Sequence, residues 1–239
     1  MPSRSRFLLE AAGQLDRGEV VIEVMDRTGR AWTQRPAIQT TGRRAALAVL
    51  LLGGGRVSAT GAMRWRDVDL ANGRFEVGHD KTDAGMREVD MLPLLREILT
   101  EHEAASDRTS PDDPVFATSA GRPRSQTNLR KDVDEAAVSQ ANRLVAERGL
   151  QPLPLGITPH KLRHTSASIP VAIGKDPTYL MQQLGHTDPA FTLRVYAHVM
   201  HRGDDERQGL RALVKGRVMA GNRQGATDPA PHNTRDDRL

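Results

Sequence analysis

The sequence predicts a mainly helical α+β fold with one small antiparallel sheet. Three observations point there. Apolar residues recur at helical spacing in several segments, most regularly as Leu129, Val133, Ala137, Ala141 and Leu144. Two short runs, Arg74–Val77 and Met86–Met91, alternate or carry β-formers on either side of a polar turn, which predicts a hairpin near 74–91. Three pairs, Thr158-Pro159, Asp176-Pro177 and Asp188-Pro189, each place a capping side chain before a proline at the first helical position.

In chain order, Phe7 to Leu15 can form a short helix and Glu19 to Met25 a strand, with Asp26 to Gly29 as a turn. Residues 1–41 lack strong periodicity and are expected to be a short accessory segment. Arg43 to Leu52, rich in Ala and Leu, predicts a buried helix stopped by Gly53-Gly54-Gly55. Ser58 to Trp65 predicts the next helix, and the turn Gly78 to Gly85 holds Lys81. Pro93 opens a helix to about His102 with Leu94, Leu95, Ile98 and Leu99 as its stripe. Asp107 to Pro114 is a loop, Val115–Ala117 a short strand and Gly121 to Pro123 a turn. Thr127 to Arg148 is predicted as one long helix ended by Gly149. Gly174 and Gly185 close the first two proline-led helices, and from Gly221 the polar tail is expected to be disordered.

Bulk composition narrows the function classes. With 239 residues and 38% apolar content the chain can bury a core, although 3% aromatic content leaves aliphatic side chains to fill it. The absence of cysteine excludes disulfides and thiolate metal sites. No apolar run approaches the roughly 18–20 residues that span a bilayer, so a cytoplasmic protein with no membrane partner is expected. Net charge is +4 and unevenly placed: residues 42–75 hold six arginines against Asp67 and Asp69. Residues 120–165 hold eight Lys/Arg against four acids. Such segments can track a phosphate backbone by releasing counterions, and they also suit an ordinary solvated surface.

Six residues stand out by their settings: Arg56, Lys81, His160, Arg163, His186 and Tyr196. His160 and Arg163, three apart after Pro159, share a face beside unpaired backbone N–H groups that favour an anion. An arginine there can grip two phosphate oxygens with its planar fork. A tyrosine oxygen, with a pKa of about 10, becomes a useful nucleophile only among cations and a base.

The strings around these residues resemble the motifs of the tyrosine recombinases of the phage-integrase family. Thr-Pro-His-Lys-Leu-Arg-His-Thr (158–165) is similar to the family's His-x-x-Arg box. Leu-Gly-His-Thr-Asp-Pro (184–189), with Thr-Leu-Arg-Val-Tyr-Ala-His-Val (192–199), resembles its Leu-Gly-His and tyrosine box. Gly55 to Ser58, with Arg64 to Asp69, resembles the first-arginine box. Lys81-Thr82 with Arg87-Glu88-Val89 resembles the lysine hairpin, where Lys81 has cationic neighbours in His79 and Arg87.

The resemblance implies an integrase-like catalytic core over 42–202 and a reaction needing no metal or cofactor. Tyr196 would attack a DNA phosphate to form a 3′-phosphotyrosine bond. Arg56 and Arg163 would hold the non-bridging oxygens, and His160 would serve the tyrosine as base or hydrogen-bond partner. Lys81 would protonate the leaving 5′ oxygen, and His186 would hydrogen-bond the phosphate. His164, His198 and His201 are expected on the surface or beside the site. The implied partners are double-stranded DNA, further copies of the chain in a tetramer, and accessory DNA-bending factors. Residues 203–220, chiefly Gly209 to Met219, would then be a docking helix.

Three departures from the family pattern matter. Ala59 stands where an acidic residue often follows the first arginine, and Thr60 and Gly61 replace apolar residues. Pro170 and Ser166 fall in the helix of Arg163, where an interior proline costs about 3 kcal/mol unless the helix kinks. The opening 41 residues are too short for the separate core-binding domain that the resemblance implies. A truncated or decaying recombinase with weakened activity is therefore expected. The alternatives are a relic or a helix-turn-helix protein over 176–200 that binds DNA without cutting, and a type IB topoisomerase.

Overall fold

Helix α2 (Arg43–Leu52) is the centre of the molecule, because its run of Ala, Val and Leu offers apolar surface on every side. Nine of its ten residues are buried, so neighbours cover it all round. The structure, a computed structural model, describes residues 2–20, 22–25, 31–34, 42–78, 87–131, 136–154, 156–185, 190, 192–194, 197, 208 and 211. Helix α1 (Pro2–Asp16) packs on α2, as do α4 (Pro93–Ala104) and α7 (Pro159–Ala172). Helix α6 (Val138–Glu147) lies against α1.

The expected helix at Phe7 to Leu15 is present and longer. Phe7, Leu8, Leu9, Ala11 and Ala12 belong to the same core cluster as α2, so this part of the expected accessory segment is built into the core. Asp16, at the end of α1, accepts the backbone N–H groups of Gly42, Arg43 and Arg44 at 3.2, 3.2 and 2.9 Å. It thereby satisfies the orphan donors that open α2. Strands β1 (Ile22–Met25) and β2 (Ala31–Gln34) form an antiparallel hairpin, the first being the expected strand. The turn expected at Asp26 to Gly29 lies outside the described residues.

The hairpin near 74–91 is present as β4 (Arg74–Val77) and β5 (Arg87–Asp90). A third strand that the sequence did not announce, β3 (Val68–Asp69), pairs with β4 and completes a sheet of order β3-β4-β5. Phe75, Val77 and Val89 face the core while Arg74, Glu76, Glu88 and Asp90 face out, the alternation a half-buried sheet requires. Segment 79–86, with Lys81, lies outside the described residues.

Several boundaries are corrected. The helix expected over Ser58 to Trp65 is α3 (Val57–Ala62), followed by extended chain at Met63 and a 3-10 turn at Trp65–Asp67. Arg64 is pulled into a β-bridge with Pro114, and its N–H donates to Asp67 at 2.9 Å. The long helix expected at 127–148 is helical at every described residue as far as Glu147, as α5 (Gln126–Arg130), π-helical residues 131, 136 and 137, and α6, while 132–135 lie outside the described residues. Of Val115–Ala117 only Ala117 forms a β-bridge, to Pro123, so the expected strand is not made, although Val115 and Phe116 are buried.

Gly61 has a packing reason. A Cβ there would sit 2.5 Å from the Arg124 carbonyl oxygen, so glycine permits the close approach of α3 to the chain leading into α5. Pro170 does not break α7, because it falls in the last turn and the helix ends two residues later. Its carbonyl accepts the N–H of Lys175 at 2.9 Å, closing the C-terminus.

The two described proline-led starts are as expected. Thr158 accepts the N–H of Lys161 at 3.3 Å, and Asp176 accepts that of Tyr179 at 2.8 Å at the start of α8 (Pro177–Leu184). Asp188-Pro189 lies outside the described residues, although Ala190, Thr192, Leu193, Arg194 and Ala197 are helical. Of the expected docking helix only Gln208 and Arg211 are described, and Arg211 donates to the Ala172 carbonyl at the end of α7 at 2.8 Å. The tail from Gly221 lies outside the described residues.

Candidate active site

Three chain segments meet where α2 ends. The Gly53–Gly55 turn leaves α2 and delivers Arg56, which forms the N-cap of α3 in extended conformation with its side chain exposed. Arg163 comes from the second turn of α7 and is half-buried. It donates from Nη1 to the Gly54 carbonyl and from Nη2 to the Leu184 carbonyl at the end of α8. These two bonds hold the planar fork between both segments. Gly54 adopts φ +63, and a Cβ there would lie 2.6 Å from Leu184 and 2.7 Å from Ser166. The small Ser166 therefore leaves α7 room to seat against this turn.

The electrostatics are those of an anion site. Burial, then the charges of Arg87 and Arg56, push the Arg163 guanidinium down to about 10. It remains charged at neutral pH, and Arg56 and Arg87 add positive potential around it. His160 lies exposed on the same helix, three residues before Arg163.

Two further residues join this group. His164 was expected at the surface or beside the site, and its Nε2 lies 2.9 Å from that of His160, with the rings edge to face at 4.5 Å. One ring must donate to the other, so the pair shares at least one neutral imidazole. Burial, then His160 and Arg163, hold His164 below the ordinary histidine value of 6.5. The spacing of four residues was the legible signal for this contact. Arg87 also belongs here, donating from Nε to the Gln183 carbonyl at 2.9 Å. Nothing local in the sequence announces a partner 96 residues away.

Of the six residues singled out from sequence, Arg56, His160 and Arg163 are described, and the structure brings Arg56 and Arg163 within electrostatic range. Lys81, His186 and Tyr196 lie outside the described residues. The chain's other tyrosine, Tyr179, is ill suited as a nucleophile. Burial, then Asp90, push its phenol up to about 12, and its hydroxyl donates to Asp90 at 3.2 Å. Among the described residues no group of three or more His, Asp or Glu side chains is gathered as for a metal ion. No described helix is long and apolar enough to cross a membrane.

Comparison with known proteins bears on this geometry. Residues 31–202 match the phage integrase family. The chain is 26% identical over 194 residues to the integrase of a Staphylococcus phage, covering 71% of this chain and 51% of that protein. It is 30% identical over 158 residues to the tyrosine recombinase XerC of Xanthomonas axonopodis pv. citri, covering 65% of this chain and 46% of that protein. It thus spans about half the length of the curated relatives it matches. In fold it is similar to the XerA recombinase crystal structure, with a TM-score of 0.56 at 21% identity over 90% of this chain and 62% of that one.

Proposed function

The chain belongs to the phage integrase family of tyrosine recombinases, and on that premise we propose that it carries out site-specific recombination of double-stranded DNA for integration or excision of a mobile element. The observation that carries the reading is Arg163, held by two backbone carbonyls in the positive field of Arg56 and Arg87. A half-buried, pre-oriented guanidinium of this kind suits a phosphate that gains charge in its transition state.

In the proposed reaction the Tyr196 oxygen attacks the scissile phosphorus, helped by His160 as base or hydrogen-bond partner. The new oxygen–phosphorus bond forms as the bond to the 5′ oxygen breaks, and Lys81 gives that oxygen its proton. Arg56 and Arg163 hold the non-bridging oxygens, and His186 adds a hydrogen bond. The 3′-phosphotyrosine conserves the phosphodiester for rejoining by the reverse attack. No step requires a metal or cofactor. The catalytic domain is assigned to 42–202, acting in the cytoplasm as a tetramer on DNA, with accessory DNA-bending factors as further partners.

The test is a nicked duplex from the element's own attachment region, incubated with the protein and then denatured. A covalent protein–DNA adduct that disappears in Tyr196→Phe is the expected result. Binding without an adduct would favour a relic that binds but does not cut. An adduct that persists in Tyr196→Phe would remove Tyr196 as the nucleophile.

A further inference from the structure

The last carbonyls of α8 have no partner within the helix and carry its negative end. Two arginines from distant elements take adjacent ones: Arg87 the Gln183 carbonyl, and Arg163 the Leu184 carbonyl. Gly185 closes the helix at φ 58 and ψ 46, and a Cβ there would meet the Arg87 guanidinium at 2.8 Å. The glycine of the Leu-Gly-His string thus makes room for Arg87. The same junction ties down the edge strand of the sheet. The Asp90 N–H donates to Gln183 Oε1 at 2.9 Å, and the Tyr179 hydroxyl donates to Asp90. Strand β5 is therefore fastened to α8 at both ends, by Arg87 at its start and Asp90 at its finish.

We propose that Arg87 is a positioning residue of the cleavage reaction: it fastens the β4–β5 hairpin to the carboxyl end of α8 beside Arg163. The proposal rests on the recombinase reading above. Two guanidiniums repel, and the negative end of one helix offsets part of that repulsion. Because Lys81 lies in the chain between β4 and β5, an anchored Arg87 sets where the proton donor can be offered. Release of Arg87 should therefore hurt leaving-group protonation more than attack.

The test compares two nicked duplexes, one ordinary and one with a bridging sulfur in place of the 5′ oxygen at the scissile phosphate. With oxygen, the phosphorus–oxygen bond breaks and the leaving oxygen takes a proton. With sulfur, the phosphorus–sulfur bond breaks and a thiolate leaves unprotonated, since a thiol pKa is about 8.5. Arg87→Ala is expected to slow adduct formation on both duplexes, because its charge also acts on Arg163, with a loss on the oxygen duplex roughly 100-fold greater than on the sulfur duplex, the scale of one general acid. Arg87→Lys, which keeps a donor for the Gln183 carbonyl, should fall between. An unchanged rate on oxygen, or an equal loss on both duplexes, would overturn the proposal. Amide exchange in the DNA-free chain gives a readout independent of cleavage. Arg87→Ala should speed exchange in β5 and the last turn of α8 while α2 stays protected, and unchanged exchange would overturn the anchoring role. If the unaltered chain forms no adduct on either duplex, the recombinase reading fails, and exchange still decides whether Arg87 anchors the hairpin.

Discussion

Helices α2 and α7 lie against each other but are stabilised in opposite ways. After Arg43 and Arg44, helix α2 is all Ala, Val and Leu, nine of its ten residues are buried, and its opening N–H groups are satisfied by Asp16. Helix α7 carries Pro170 in its last turn and two buried serines whose hydroxyls bond back to their own helix, Ser166 to the Arg163 carbonyl and Ser168 to that of His164. Back-bonded serines and a proline weaken a helix on its own. Yet α7 presents His160, Arg163 and His164. The helix to which the proposal assigns this chemistry is the one that depends on neighbours for its order, and α2 is the principal neighbour.

The largest way to break this contrast is to hollow out α2. Leu50→Ala removes a side chain with no exposure and should cost about 2–5 kcal/mol in denaturant unfolding. If α7 leans on α2, amide exchange in α7 should rise along with it. Next is the joint between them. Gly54→Ala forces a side chain into φ +63 against Ser166 and Leu184 and should cost about 1–3 kcal/mol. Because the Gly54 carbonyl also holds Arg163, the adduct yield should fall further than stability alone explains.

A smaller effect is expected at the start of α2. Asp16→Ala leaves three N–H groups without their acceptor and should cost about 0.5–2 kcal/mol. Burial pushes the Asp16 carboxyl above its ordinary value despite those donors, so its charge is not what stabilises the fold. Asp16→Asn, which keeps an acceptor oxygen, should therefore cost less than Asp16→Ala in the same melt. Equal costs for the two variants would show that the charge, with its 3.7 Å ion pair to Arg43, matters more than the cap.

The smallest effect is a pH dependence nearby. His102 is buried between Trp65 and Phe116, and its Nε2–H donates to the Val115 carbonyl at 2.7 Å. Burial holds it below the ordinary value of 6.5. The folded state therefore favours the neutral ring, and the unfolded chain binds the proton first. Stability from this group is complete above about pH 6.5 and is lost as pH falls through the lower folded value. In thermal melts from pH 8 to 5, the native chain should lose stability more steeply than His102→Gln on the acid side. Parallel curves would remove His102 as the cause.

Much of this molecule was legible because its signals are local. The caps at Thr158 and Asp176, the glycine stops and the sheet hairpin each depend on residues a few positions apart. The His160–Arg163 pair is read from helical spacing alone. The misread elements failed for the opposite reason. Gly61 looks like a weakened helix until the Arg124 carbonyl is brought against it. Ser58 to Trp65 has a helical composition, but the bridge from Arg64 to Pro114 draws its second half out straight.

By itself, then, the sequence determined the helical and hairpin elements, the family motifs, and which side chains share the first face of α7. Hydrogen bonding and side-chain periodicity within one element act over three or four residues, so a linear text records them. Only the tertiary structure decided that Asp16 caps α2 and that Arg87 and Arg163 divide the carboxyl end of α8. Those contacts join residues as much as 96 positions apart, and they exist because packing around α2 brings together backbone carbonyls and N–H groups that no single element could satisfy.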